Sequence, residues 1–519
     1  MLLKKVSVRV WSRRRSSFIT TPIFYANAAP HLGHLYTAVL SDAAHRWERL
    51  KDPTGRHVFS TGTDEHGIKQ FCEDVSSVFR HLFGQFDIQH TDYIRTTDAH
   101  HKEAVQRIWG ILKDKDLIYK DVYRGWYSVV DECFYQEKDV ENAQIGTKTV
   151  RVVKGSKTVV DWVEEENYMF RLSEFRDEIR RWLSQNDVIR PKHYLPIVLK
   201  FLEMEEDLSI SRCRRRLPWG IAVPDDAEQT IYVWLDALVN YLTVCGFPNN
   251  TERMETSWPP TCQIIGKDIV KFHTVYWPAF LLGAGLPLPR RIFIHGHWLV
   301  DNIKMSKSLG NVVDPFRAAK QFTTEGLRYF LLKQGVPQDD SNFTPTKALQ
   351  VINSDLVNNF GNLLSRSTVA KLNPEQKYPK MERGALSDSG KIASEELVRS
   401  LDEIGRQTAE QYDAMLFYKG IEGLMGVLKQ ANGFFQAQEP WKMSPSKQLS
   451  SVLHLCYETV RVTAVLLQPV VPQFSSHALD RLGISTEKRG IETAKYDDSE
   501  RGCQPLGAEE GPFIQRLKG

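Results

Sequence analysis

The stretch "TTPIFYANAAPHLGHLYTAVLSD", residues 20–42, decides the fold. It opens as a buried strand reads, apolar and partly β-branched. It then runs into a helix in which Leu35, Val39, Ala43, Trp47 and Leu50 fall close to one face. "SFITTPIFY", "HLYTAVLSDAAHRWERLK" and "HVFSTG" follow one another, so the chain opens as a βαβ unit. Handedness then dictates parallel strands with a ligand crevice at their carboxyl ends. The turn between strand and helix is "PHLGH". A helix amino terminus favours anions through its free N–H groups and its dipole. Gly33 lets a phosphate or a nucleobase approach the backbone closely. His31 and His34 add donors that stay neutral yet bond developing phosphate charge, which is what transfer at an α-phosphate requires. Taken alone, the same residues read equally well as a metal pair or as surface histidines.

A second element narrows this. "IKMSKSLGN", residues 303–311, follows a predicted strand and puts Lys304 and Lys307 around Ser306 and Ser308 in a glycine-flanked loop. Two ammonium groups three residues apart can grip a departing pyrophosphate, and the hydroxyls can donate further hydrogen bonds. The α/β pattern between these elements is interrupted. From 126 to 220 short strand-like runs and a charged segment read as an insertion, and the pattern resumes at "TIYVWLDALVNYL". Beyond 350 the chain reads as helical. Ile352, Leu356, Phe360 and Leu363 form one stripe, further helices are expected at about 391–436 and 446–481, and the Gly- and charge-rich tail from 483 reads as a linker ending in an apolar "PFI".

HxGH and KMSKS in this order, at opposite ends of an interrupted parallel α/β domain, resemble the two motifs of the class I aminoacyl-tRNA synthetases. The resemblance sharpens to methionyl-tRNA synthetases of the bacterial and organellar branch through "STGTDEHGIK", "DLSISRCRRRLPWGIAVP", "YVWLDALVNY", "IIGKDIVKFH", "NNFGNLLSR" and "EPW", and it covers nearly everything from residue 18 onward. It implies an α/β fold: a Rossmann-type parallel-sheet catalytic domain with an inserted connective domain, followed by an all-α anticodon-binding helix bundle. The expected segments are a transit peptide (1–17), two catalytic halves (18–125 and 221–312), the insertion (126–220), a stem-contact region (313–349), the bundle (350–482) and a C-terminal extension (483–519).

The residues themselves suit such a pocket. Trp234, Ala237, Leu238 and Tyr241 share one helix face, Ile269 and His273 are four apart on another, and Asp64 ends the second strand, where a carboxylate can hold an ammonium. The resemblance implies that methionine is bound by Ile23, Tyr25, Asp64, Trp234, Ala237, Leu238, Tyr241, Ile269 and His273. Aromatic and aliphatic walls fit a polarisable thioether. For ATP it implies His31, Gly33, His34, Gly266, Asp268, Lys304, Ser306 and Lys307, with His31, His34, Lys304 and Lys307 as the catalytic set. Asp268 reads equally as a helix N-cap. Mg²⁺ is expected to ride on the nucleotide. Asn362 and Arg366, set about 100° from the apolar stripe, together with Trp441, offer an amide, a guanidinium and an indole, the groups that read unstacked bases. The resemblance gives them the anticodon.

Where many relatives carry a four-cysteine zinc knuckle, this chain has only Cys133, and one thiolate cannot supply a tetrahedral site, so no structural zinc is expected. Seven scattered cysteines without a CxxC disfavour a disulfide framework. Residues 1–17 hold six basic residues, four serines and no acid, the composition of a mitochondrial transit peptide, with a nucleic-acid-binding arm as the alternative. No apolar run approaches the roughly 18 residues that cross a bilayer. The expected activity is methionine–tRNA ligation in the mitochondrial matrix, with methionine, ATP and tRNA(Met) as partners, no membrane, and a monomeric chain. The rivals are an idle RNA-binding relative and a cysteinyl or leucyl enzyme. Arg212, Arg214, Arg215 and Arg216 can hold tRNA phosphates or simply be solvated.

Overall fold

The computed structural model describes residues 16–128, 133–135, 137–146, 148–154, 157–185, 187–204, 206–215, 219–305, 310–386, 388–498 and 504–518. Lys307, Ser306 and Arg216, and nearly all of the basic N-terminal stretch, lie outside these residues.

A parallel sheet organises the catalytic half. Its main strands are β1 (Ser17–Thr20), β2 (His57–Asp64), β3 (Asp92–Arg95), β4 (Cys262–Gly266) and β5 (Ile292–His295). They lie side by side in the order β5-β4-β1-β2-β3, all parallel, with Thr20 facing Ser60 on one side and Gln263 on the other. The chain leaves β1 toward β2 and β3 and returns to the opposite side with β4 and β5. The strand order therefore reverses between β1 and β4, which is where open α/β sheets place their ligand crevice. Strand β1 begins at Ser17, and its pairing partner there is His57.

Helix α1 (Leu32–Lys51) follows β1 and is buried on nearly every side, Leu35, Val39, Ala43 and Trp47 included. It needs such a setting because it is covered by the sheet on one face and by later helices on the other. Asp42, within α1, is fully buried, and its Oδ2 accepts from Arg328 Nη2 at 2.7 Å. Burial raises the Asp42 carboxyl, and the Arg328 and Arg46 guanidinium groups beside it bring it down below its usual range. Arg328 is 0 % exposed; its other nitrogens donate to the Phe86 carbonyl at 2.9 Å and to the Val470 carbonyl at 3.1 Å. One guanidinium thus ties α1, the end of the helix Lys69–Gln85 and the end of the helix Lys447–Leu467 to a single point.

Between β3 and β4 the chain builds an antiparallel sheet in the order Cys133–Tyr135, Ile118–Ser128, Val159–Phe170, Lys148–Val153, Val140–Ile145. Its long pair starts at Ile118, ahead of the change of texture at 126, because the alternation of residues 118–125 continues one strand out of the catalytic body. After β5, the strands Trp298–Val300 and Ile303–Lys304 form a hairpin. Its two turn residues, Asp301 and Asn302, both have positive φ, the two-residue geometry whose twist matches paired strands.

The C-terminal half is helical, in shorter pieces than the periodicity suggests. The stretch expected at 391–436 is two helices, Asp388–Asp413 and Phe417–Gln438, parted at Met415, whose φ is 58°. The stretch expected at 446–481 is Lys447–Leu467 and Pro472–Arg481, parted where Pro472 can only start a helix. The apolar stripe Ile352, Leu356, Phe360 and Leu363 is buried, but Asn353–Gly361 is wound as a π-helix between two α-helical pieces. The tail is not a linker. Residues 504–507 pair with backbone groups of Gln376, Tyr378 and Arg481, Ile514 is buried, and Leu517 exchanges hydrogen bonds with the Asn353 amide. Five described cysteines are unbridged.

Candidate active site

A cavity of about 350 Å³ opens at the carboxyl ends of β1 and β4. Every described residue assigned from sequence to methionine or ATP lines it: Ile23, Tyr25, His31, Gly33, His34, Asp64, Trp234, Ala237, Leu238, Tyr241, Gly266, Asp268, Ile269, His273 and Lys304. Five separate stretches of chain converge there. Thr37, Asn240, His295, His297 and Trp298 also line it and were missed from the sequence. The signal available for the last three was "HGHW" directly at the end of a strand.

The HxGH turn owes its shape to its own imidazoles. His31 is the N-cap of α1; its Nδ1 accepts from the Gly33 N–H at 3.0 Å, and its own N–H donates to His34 Nδ1 at 3.2 Å. This is a capping box built from two histidines. The rings stack with centroids 3.8 Å apart, and Phe24 meets His34 edge-on. A neutral imidazole whose Nδ1 accepts carries its proton on Nε2. The cap therefore fixes both rings as Nε2–H donors. Gly33 is required here for a reason beyond ligand approach: a Cβ on it would stand 2.9 Å from His31 Cε1.

Elsewhere in the lining the other tautomer is used. His273 sits in a π-helical turn, Phe272–Tyr276, and its Nδ1–H donates to the Ile269 carbonyl at 3.0 Å. Its Nε2 is then the acceptor for the Tyr241 hydroxyl at 2.8 Å. Burial holds His273 neutral, at about 4, and pushes the Tyr241 phenol far above its usual range. Tyr241, Ala237 and Leu238 are buried on helix α2 (Val233–Val244), and Trp234 stacks flat on Phe272 at 3.6 Å. His295 repeats the pattern, with Nδ1 on the Gly296 carbonyl at 2.8 Å, Nε2 on the Thr37 hydroxyl at 2.9 Å, and burial lowering it to about 4.

Near the third wall, the Asp268 side chain is 53 % exposed and its Oδ1 lies 3.2 Å from His297 Nε2. It is not the N-cap of its turn; Gly266 holds that position. Partial desolvation of the carboxyl works against ionisation, but His297 and Lys304 outweigh it and hold Asp268 well below the usual carboxylate range. Gly266 cannot be replaced cheaply, since a Cβ there would meet Asp268 Oδ1 at 2.6 Å. Asp64 closes the fourth wall at the end of β2.

In the helical half, Arg366 lies over the Trp441 ring at 5.5 Å and over Phe435 at 5.0 Å, and bonds Gln436 at 3.3 Å. Trp441 is 37 % exposed and Asn362 is exposed one turn before Arg366. Of the arginine run, Arg212 is buried; its Nη1 donates to Ser209 and Ser211 and its guanidinium covers Tyr232 at 4.3 Å, so it serves the fold, whereas Arg214 and Arg215 are exposed. Among the described residues no three His, Cys, Asp or Glu side chains are grouped to hold a metal ion.

A family profile described as tRNA synthetases class I (M) matches residues 17–368. The human mitochondrial methionine–tRNA ligase is 46% identical over 507 residues, 92% of this chain and 85% of the relative. The bovine mitochondrial methionine–tRNA ligase is 45% identical over 549 residues, covering 99% and 92%. Among solved structures, a Mycobacterium tuberculosis methionyl-tRNA synthetase in complex with methionyl-adenylate superimposes with a TM-score of 0.89 at 36% identity, covering 96% of this chain and 100% of that one.

Proposed function

The chain belongs to the class I tRNA synthetases of the methionine kind, and from that premise we propose how its residues divide the reaction. It is a methionine–tRNA ligase: it activates methionine with ATP to methionyl-adenylate and passes the methionyl group to the 3′-terminal adenosine of tRNA. Its compartment is the mitochondrion; within it we assign the matrix, and tRNA(Met) as the acceptor. We assign it to work as a monomer.

In our reading Asp64 takes the methionine ammonium, and Trp234, Ala237, Leu238, Ile23 and Ile269 wall the side chain. The Tyr241–His273 pair faces the thioether. Tyr25 closes the site over the carboxylate. That carboxylate attacks the α-phosphate in line; the P–O bond to the β-phosphate breaks, and pyrophosphate leaves with the electron pair. His31 and His34 donate Nε2–H to phosphate oxygens as charge develops, with Gly33 giving room. Lys304 and Lys307, with Ser306, draw the β,γ-phosphates. Gly266 and Asp268 hold the nucleoside. The nucleotide enters as its Mg²⁺ complex, the cation being part of the substrate. Little covalent help is needed from the protein; catalysis is positioning plus charge stabilisation. The 2′-hydroxyl of the terminal adenosine then attacks the carbonyl and AMP leaves. Asn362, Arg366 and Trp441 read the anticodon.

The single observation that supports this division is the convergence of five stretches of chain on one cavity, with donor histidines on a helix terminus and a buried aromatic wall around Tyr241. Amino-acid-dependent ATP–pyrophosphate exchange across the twenty amino acids tests it. We expect exchange with methionine alone. Exchange with cysteine or leucine, or none at all, overturns the assignment.

A further inference from the structure

Behind Asp64 runs a line of ionisable groups that the adenylation scheme does not use. His66 follows Asp64 by two residues at the end of β2, and its Nε2 lies 3.0 Å from Asp64 Oδ1 and 3.3 Å from Asp236 Oδ2. Its side chain is 1 % exposed. Asp236, on α2 beside the pocket residue Ala237, gives its other oxygen to His101 Nε2 at 2.8 Å. His101 in turn bonds the Thr243 hydroxyl through Nδ1 at 2.9 Å. Only Asp64 of this line touches the cavity.

The order of charges is informative. Two carboxylates with a single imidazole wedged between them are buried here, an arrangement that is costly unless every charge is answered. Burial works to discharge His66, yet Asp64 and Asp236 overcome it and keep its proton on well above the ordinary imidazole range. The neighbouring acid Glu65 is not free to compete, because Arg95 holds both its oxygens at 2.7 and 2.9 Å. Asp236 is met by imidazoles on both its oxygens, from His66 and His101, and Asp64 is the carboxylate of this line that faces the cavity. A primary ammonium is the ligand that answers it.

We propose that His66, anchored from behind by Asp236 and His101, is a positioning residue for the amino-acid substrate. It fixes one oxygen of Asp64, so that the other is presented to the α-ammonium. The proposal rests on the reading of Asp64 as the ammonium holder. It also states a selectivity: His66 matters only for ligands that carry the ammonium, whatever they present to the ATP end.

The test uses the full chain, with pyrophosphate exchange for turnover and direct binding for two methionine analogues. Methioninol keeps the ammonium and lacks the carboxylate; 4-(methylthio)butanoate keeps the carboxylate and lacks the ammonium. In His66→Gln we expect the methionine KM and the methioninol Kd to rise together, about 10-fold to 50-fold, the range for leaving one buried polar partner unanswered. The KM for ATP, the kcat and the affinity for 4-(methylthio)butanoate should stay within about threefold on the same reasoning. Equal weakening of both analogues makes His66 merely structural and overturns the proposal, as does an unchanged methionine KM. Asp64→Asn separates the two readings: if it leaves methioninol binding intact, the ammonium assignment itself fails; if it abolishes binding while His66→Gln does nothing, only the present proposal fails. Should His66→Gln not fold, Asp236→Asn carries the same comparison, because it keeps His66 and removes its anchor.

Discussion

The two ends of the cavity are built on opposite principles from the same residue type. In the part we assign to the amino acid, Tyr241 and His273 are buried, bonded to each other, and backed by a stacked Trp234–Phe272 pair. In the part we assign to the nucleotide, His31 and His34 are half-buried on a helix terminus, and Lys304 and the Asp268 side chain are exposed. His273 spends its Nδ1 proton on a carbonyl and offers an acceptor; His31 accepts at Nδ1 and offers a donor. The difference separates recognition from chemistry. A dry wall with satisfied polar groups discriminates because an ill-fitting ligand leaves them unpaired. Aimed donors near a phosphate accelerate because their bonds strengthen as charge develops.

Substitutions at the two ends should therefore move different constants. The largest effect belongs to His31→Asn, which keeps a capping acceptor for α1 but withdraws the Nε2–H donor. Pyrophosphate-exchange kcat should fall about 10²–10³-fold, the range for one transition-state donor, with methionine KM nearly unchanged. A wild-type rate in that variant removes His31 from the chemistry. Tyr241→Phe leaves His273 Nε2 without its donor and should raise methionine KM about 10-fold while sparing kcat; a fall in kcat of similar size would erase the division between the ends. Trp441→Ala lies far from both and should lower kcat/KM for tRNA charging by about 10-fold, the loss of one base–aromatic stack, with exchange unaffected. Exchange that falls in step with charging would show that the indole supports the fold instead.

The smallest effect is on stability. His45, His273 and His295 are each lowered by burial to about 4, so they stay neutral in the folded chain while the unfolded chain takes up protons below about 6.5. Stability should fall as pH drops from about 6.5 toward 4, with a limiting slope of about 1.4 kcal/mol per pH unit for each histidine. His66 acts with the opposite sign: its contribution is present in full below 6.5 and is lost as pH rises through its raised value. Urea midpoints should be lower at pH 5 than at pH 7, and a higher midpoint at pH 5 would show that the fold does not hold these three imidazoles neutral.

Much of the cavity lining was legible in the sequence because helices and strand ends print their faces at fixed spacing. Trp234, Ala237, Leu238 and Tyr241 could be read from two turns of one face of α2. What spacing does not print is who sits opposite. Trp441 meets Arg366 across 75 residues, and His66 meets Asp236 across 170, through packing that no local period encodes. The tail was misread for a related reason. Leu506, Ile514 and Leu517 are anchored singly and by backbone hydrogen bonds, so they leave no periodic signal to find. The π-helical turn at Asn353–Gly361 likewise has no compositional mark in a run that reads as plain helix. The roles given to the KMSKS residues Ser306 and Lys307 rest on the sequence alone, since both lie outside the described residues.

The pin that Arg328 drives through Asp42 has a mechanical consequence. Helix α1 is a rod of 20 residues with His31 and His34 at one end; near the other, Trp47 and Lys51 both grip Asp413 of the helical bundle, at 2.8 and 2.6 Å. Asp42 lies between, about 16 Å from His31 at 1.5 Å of rise per residue. A tilt of about 2° around that fulcrum displaces the His31 imidazole by roughly 0.5 Å, the tolerance within which catalytic groups must be held. The bundle therefore grasps the shorter arm of a lever, so a slight shift of its grip moves the HxGH end by more than its own travel.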